Sequence, residues 1–141
     1  MTRDGRTGLD ILSYDECVHL LARTPIGRVA VHLSDHPPAI FPVNYTFHDD
    51  RVVFRTDAQS MLHRAHERTV AFEIDGIDRH YHLGWSVLVV GHLDQVTDSS
   101  EIARLTTLPL GPWAPGLKAE WMLIRPDAIT GRSIPTDPDR R

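Results

Sequence analysis

A single cysteine, Cys17, stands in a chain of 141 residues, so no internal disulfide can form and a reduced, cytoplasmic protein is expected. No apolar run approaches the length of a membrane span, and an apolar share of 41% suits a globular chain. The opening Met-Thr-Arg-Asp-Gly-Arg-Thr-Gly has no apolar segment behind its charges, so no signal peptide is visible. Basic clusters are missing as well. The formal charge is -4 and the Arg and Lys residues are scattered, which argues against nucleic acid as a partner. There is no Gly-rich phosphate loop of the P-loop or Rossmann type, and Ser86 has no Gly-x-Ser-x-Gly elbow. The nine histidines lack a companion cysteine pair and a zinc spacing. His32/His36, His63/His66 and His80/His82 therefore read as solvated or structural, with no metal site.

What is present is organised around Ile40 to Thr56, two strands joined at His48-Asp49-Asp50. Phe41, Val43, Tyr45 and Phe47 share one parity, and Val52 and Phe54 continue it on the return strand. Asp49-Asp50 suits the turn, since a short acidic side chain bonds its own backbone. Pro42, Asn44, Arg55 and Thr56 are not needed for a plain hairpin, and they fall where a rigid sheet can present them to a ligand.

Before the hairpin, residues 1–12 read as a flexible N-terminus, and Ser13 and Glu16 form a capping box for a helix with Tyr14, Cys17, Val18 and Leu21 on one stripe. Cys17 on that stripe reads as a packed thiol. Pro25 and Gly27 end the helix, and Arg28 to Leu33 is a strand. After the hairpin come a short helix from Met61 to Glu67, a strand from Thr69 to Asp75, and a long strand from Gly84 to Val96 with a bulge or bend at Gly91. Asp98 to Glu101 resembles a second capping box, followed by Ile102 and Leu105 on a helix. Leu108 to Gly116, around Trp113, reads as a Pro- and Gly-rich structured loop. Ala119 to Arg125 is a strand, Pro126-Asp127 a turn, and residues near 131–134 a last short strand before a flexible tail at 135–141. Residues 13–134 thus make a single domain, mainly β, with six to seven strands and small helices. Hairpins of period-two strands favour an antiparallel barrel, which removes exposed edges. No alternating βαβ pattern appears.

Pro42-Val-Asn-Tyr45, Phe54-Arg-Thr56, Phe72-Glu-Ile-Asp75, Gly84 to Gly91 and Pro112-Trp-Ala-Pro-Gly116 occur in that order. In this the sequence resembles the pyridoxamine 5′-phosphate oxidase-like family of FMN-binding split-barrel proteins, most of all its short bacterial members, over about residues 12–134. The resemblance implies an antiparallel split β-barrel and a homodimer with FMN in the cleft between the chains. Val43 and Asn44 would lie along the isoalloxazine ring and bond its polar edge. Arg55, Thr56 and Ser60 would hold the phosphate, as a guanidinium, a hydroxyl and a helix start all favour an anion. Trp85 and Ser86 would reach the cofactor from a neighbouring strand or the partner chain, and Trp113 would cover the flavin or line the substrate side.

Each residue also has a plainer reading. Asn44 would bond its own turn, Arg55 would pair with a surface Asp, Thr56 and Ser60 would be turn and cap residues, and Trp85 would belong to the core. Many relatives carry a Lys near the start of the following helix, where this chain has Met61. His63 or Arg64 compensates only by pointing back at the cleft. The departure leaves room for a deazaflavin, or for no cofactor. The expected function is an FMN-dependent oxidoreductase of a small molecule, with no side-chain acid or base named. The alternatives are a non-catalytic flavin, deazaflavin or haem carrier or sensor, with His80 and His82 as candidate axial ligands, and a split barrel with an empty cleft.

Overall fold

A computed structural model of the chain describes residues 2–80, 82–110 and 119–135. Helix α1, Tyr14–Arg23, starts at the expected capping box: Ser13 Oγ accepts from Glu16 N at 3.1 Å and Glu16 Oε1 from Ser13 N at 3.2 Å. Cys17 and Leu21 are fully buried, with Leu20 packed beside them, whereas Tyr14 is 55% exposed and does not belong to the stripe.

Eight strands follow the expected order with two additions: β1 (Thr2–Arg3), β2 (Asp10–Ile11), β3 (Ile26–Val31), β4 (Ala39–His48), β5 (Arg51–Thr56), β6 (Thr69–Asp78), β7 (Leu83–Val96) and β8 (Glu120–Ser133). β1 and β2 lie in the stretch expected to be flexible, and they pair with each other and with the end of β8. Strand β3 begins directly after Pro25. Gly27 lies inside it, because a Cβ there would fall 2.2 Å from the buried ring of Phe72.

The sheet runs β8-β5-β4-β3-β6-β7, and β7 pairs again with β8. All these pairings are antiparallel and together they close a six-stranded barrel. This is the split barrel expected from the sequence. The central hairpin turns at Asp49 and Asp50, both with positive φ (53° and 58°), the two-residue turn whose twist matches its strands. Val43, Tyr45, Val52 and Phe54 point inward to the core with Phe72, Val87, Val89, Leu93 and Ile124. Tyr45 carries its hydroxyl into this core and donates to Leu21 O at 2.7 Å, tying α1 to the barrel; burial pushes the phenol well above its ordinary value.

Two expectations change at the long strands. Pro126-Asp127 is not a turn. β8 continues through it, with Gly91 opposite Pro126 and Val90 opposite Ala128, so Asp127 is bulged out. A bulge tolerates the missing proline N–H, and a Cβ at Gly91 would lie 2.3 Å from Arg125 O. The helix expected from Met61 to Glu67 is shorter: α2 covers Met61–Arg64. Glu67 takes φ 69°, and its N–H donates to Leu93 O at 2.6 Å, so the chain leaves the helix to join β7.

Helix α3, Ser99–Leu105, is capped by Asp98, which accepts from Ser100 N at 3.1 Å. Glu101 does not reciprocate; it accepts from Arg51 at 3.1 Å and from Arg104. Leu105 packs with Val53, Val96, Trp121 and Leu123, a second apolar cluster on the outside of the barrel. Trp113 and most of its loop, residues 111–118, lie outside the described residues, as does the tail after 135. Among the described residues no helix is long and apolar enough to cross a membrane.

Candidate functional site

Strand parity sorts the expected site residues into two faces. Val43, Thr56 and Trp85 share parity with buried core residues and face inward. Asn44, Arg55 and Ser86 face outward. Tyr45 pairs with Phe54, so Asn44 and Arg55 are neighbours at one end of the hairpin, and Arg55 sits directly opposite Trp121 on β8.

At that corner the Arg55 guanidinium lies 5.1 Å from the centroid of the Trp121 ring, a cation–π contact. Its Nε is buried and has no hydrogen-bond partner. Among the described residues no carboxylate pairs with it, so the surface salt-bridge reading finds no partner. Asn44 does not bond its own hairpin turn. Its Nδ2 donates to Pro25 O at 3.0 Å, at the joint between α1 and β3. A carbonyl can only accept, so this bond fixes the amide orientation and leaves Oδ1 buried without a partner. Leaving a buried polar atom unpaired costs roughly 1–3 kcal/mol. The corner thus holds one donor of positive charge and one acceptor, both unpaired, on adjacent strands.

Thr56 is the buried polar residue among the described ones, 5% exposed, and its Oγ1 lies 2.9 Å from Ser60 Oγ. Ser60 caps α2 and accepts from His63 N at 3.1 Å. One hydroxyl proton joins the two oxygens, which leaves the second free to donate elsewhere. The cap reading therefore holds, and one donor remains.

Neither neighbour of Met61 turns back to replace a missing cation. Arg64 donates to Asp35 Oδ2 at 2.8 Å, toward the turn between β3 and β4. The His63 Nδ1 accepts from Gln59 N at 3.2 Å, which leaves Nε2–H to donate to Gln95 Oε1 at 3.1 Å. Gln95 in turn donates to Glu120 Oε2 at 2.7 Å. Met61 packs against the core.

Trp85 also packs against the core, its ring over Gly76, where a Cβ would fall 2.6 Å from it. Ser86 lies outward between Asp75 and Arg132. Arg132 donates to Asp4 Oδ2 at 3.4 Å, and backbone bonds first, then this arginine among others, hold Asp4 below its ordinary value. Across the closed barrel this second corner is two strand spacings from Arg55, through β8. Along β8 the two are marked by Trp121 and Arg132, eleven residues apart. One chain therefore makes two half-corners: Arg55 with Asn44, and Ser86 with Arg132. Trp121 and Arg132 were not singled out from the sequence. Parity indicates that Arg55 points outward, but nothing local says which strand lies beside it.

A separate depression of about 850 Å³ lies beside α3, lined among others by Arg51, His66, Asp94, Gln95 and Glu101. Several of its charges pair with one another, although Arg51 Nε is buried without a partner. Arg51 pairs with Glu101 at 3.1 Å, and Arg104, then Arg51, hold the Glu101 carboxyl below its ordinary value. It contains none of the expected site residues. Among the described residues no three His, Cys, Asp or Glu side chains converge as a metal site.

Residues 13–133 match the family model described as pyridoxamine 5′-phosphate oxidase. The chain belongs to that family. An uncharacterized protein of Mycobacterium tuberculosis is 36% identical over 132 residues, covering 89% of this chain and 86% of that one. Among solved structures of the same architecture, an FAD binding protein from Mycobacterium smegmatis superposes with a TM-score of 0.76 at 34% identity, covering 88% of this chain and 97% of that one. A conserved protein of unknown function from Corynebacterium diphtheriae gives a TM-score of 0.77 at 32% identity, covering 90% and 98%.

Proposed function

We propose that the chain is a flavin-binding protein that works as a homodimer in the cytoplasm, with FMN in the cleft between two copies, and that it is an FMN-dependent oxidoreductase of a small molecule. One observation carries this reading: the unpaired, buried Arg55 Nε beside the unpaired, buried Asn44 Oδ1. A flavin mononucleotide offers the complements of both, phosphate oxygens that accept and a ring imide that donates. Arg55 would bind the phosphate together with the spare hydroxyl proton of Thr56 or Ser60, and Asn44 would accept from the ring edge beside the Val43 backbone. Ser86, which one chain holds far from Arg55, would reach the cofactor bound at the other copy, and Trp113 would cover it; the Trp85 ring, packed on the core, takes the plainer role. The flavin, when bound, supplies hydride transfer; the protein binds it, orients it and limits water. Family membership supports the reading, as does the M. smegmatis relative described as an FAD binding protein.

A flavin or deazaflavin carrier without turnover is the second reading. It is favoured by Met61 lying packed in the core while Asp35 holds Arg64, which leaves Arg55 as the one described cation at the corner.

Titration of the purified protein with FMN and with FAD, read by absorbance and thermal shift, tests both. A flavin at a hundredfold its Kd raises stability by about 2.7 kcal/mol. Arg55→Ala should weaken that binding about tenfold or more, with the fold retained, because a charge-assisted hydrogen bond contributes roughly 1.5–3 kcal/mol. A protein that neither flavin stabilises refutes the proposal. Bound flavin without turnover of any donor selects the carrier.

A further inference from the structure

Among the described residues, α3 covers the outer wall at Val53 and Leu123, but no helix covers another outer wall. There, cross-strand pairing builds two outward rows over β4, β3, β6 and β7: Ile40, Ala30, Ala71, Val90, and beside them Pro42, Arg28, Glu73, Leu88. Ile40 is 67% and Leu88 41% exposed, and Ala30, Ala71 and Val90 line a shallow hollow of about 310 Å³. Large side chains standing in water beside small ones make a surface that gains from being covered.

Within this apolar wall one cation serves two carboxylates. Arg28 Nη1 lies 3.3 Å from Glu73 Oε1 and 3.2 Å from Asp75 Oδ2. Across β6, β7 presents Leu88 to Glu73 and Ser86 to Asp75, and β4 presents Pro42 to Arg28. The next charge is Arg132 on β8, opposite Ser86 and engaged with Asp4. The cluster therefore carries one negative charge in excess. Burial first, and then the neighbouring Asp75, push the Glu73 carboxyl above its ordinary value, against the pull of Arg28.

The patch carries both signs, and Arg28 is half-exposed, so its free edge can reach a facing carboxylate. Related by a two-fold axis, the patch is complementary to itself: each Arg28 faces the other copy's Glu73 and Asp75. Two copies bring two arginines and four carboxylates. Removing that set from water leaves two uncompensated charges unless each copy binds a proton.

We propose that two copies of this chain meet on the β3–β6–β7 wall and that association takes up a proton on each Glu73–Asp75 pair, so that the dimer tightens as pH falls. The proposal rests on the homodimer reading above and names its contact surface and its control. Each carboxylate pair takes one proton from the solvent as the copies join, forming one O–H bond, and no other bond forms or breaks.

Sedimentation equilibrium of the flavin-free protein between pH 5 and pH 8 tests it. The dimer Kd should fall by up to tenfold per pH unit for each proton taken up. Glu73→Gln, and independently Asp75→Asn, should tighten the dimer at pH 8 and flatten the pH dependence. Leu88→Glu, which adds to the surplus negative charge opposite Glu73, should give a monomer at pH 8 whose far-UV circular dichroism matches the wild type. A wild-type Kd indifferent to pH, or a slope unchanged in both carboxylate variants, overturns the proton linkage. A dimer that survives Leu88→Glu at pH 8 overturns the surface and, if it still binds FMN, leaves the flavin reading intact. A wild type that is monomeric across the range and binds no flavin sinks both.

Discussion

The barrel has two outer walls of opposite character. Over β5 and the first half of β8, Val53, Trp121 and Leu123 face outward as apolar residues, yet α3 and the segment after it cover them. Over β3, β6 and β7 the outward residues are Ala30, Ala71, Val90 and Leu88, and no element of the described chain covers them. Charges differ in the same way. Beside α3 cations and carboxylates pair, with Arg51 on Glu101 and Arg125 on Asp94. On the bare wall two carboxylates share one arginine. Among the described residues one sheet of similar strands thus has one outer wall covered and one that is not, and the unpaired Arg55 Nε and Asn44 Oδ1 lie on β5 and β4, between them.

Truncation gives the largest contrast between them. Leu123→Ala should cost about 2–5 kcal/mol in urea unfolding, since it leaves a cavity under α3. Leu88→Ala, measured where the chain is monomeric, should stay within about 0.5 kcal/mol. Equal losses would mean that the walls are not different.

The bulge that bends β7 and β8 between them comes next. Gly91→Ala should destabilise by about 1–3 kcal/mol, because the new Cβ meets the Arg125 carbonyl and the backbone must shift. A neutral outcome would show that β8 is free to re-register. Ser60→Ala removes the α2 cap and the partner of Thr56, and about 1 kcal/mol should be lost in the same assay.

Acid titration gives the smallest effect. The arginines on Glu101 hold its carboxyl below the ordinary 4.5, so that pairing stabilises the fold above this pH and is lost as pH falls through the lowered value. Glu73, shifted upward, contributes in the opposite sense: its charged form is the disfavoured one, and protonation relieves the fold. Arg51→Met should flatten the acid limb of stability below about pH 4.5, whereas Glu73→Gln should remove a loss that appears as pH rises above that range. Identical acid limbs in both variants would remove the electrostatic half of the comparison.

Much of the barrel was legible because its strands alternate. Tyr45, Val52 and Phe54 announce their faces by period alone, and Ser13 with Glu16 announces a helix start by chemistry that acts within three residues. The misread places share a cause. Pro126-Asp127 resembles a turn locally, but pairing with β7 carries the strand through as a bulge. Met61 to Glu67 resembles a two-turn helix, but the Leu93 carbonyl captures the Glu67 N–H and ends it early. In both, a partner distant in sequence outbid the local preference.

The candidate site divides along the same line. Residue type and strand-end position drew attention to Asn44, Arg55 and Thr56, whereas Ser60 and the ligand group each would hold came from the family resemblance. That Asn44 spends its amide N–H on Pro25, that Arg55 lies against Trp121 with Nε unpaired, and that Ser86 stands two strands away and eleven residues along β8 were decided by tertiary structure alone. Short-range periodicity determines which way a side chain faces. Which side chain it meets depends on barrel closure and stagger, set by pairings between residues as far apart as Arg28 and Glu73.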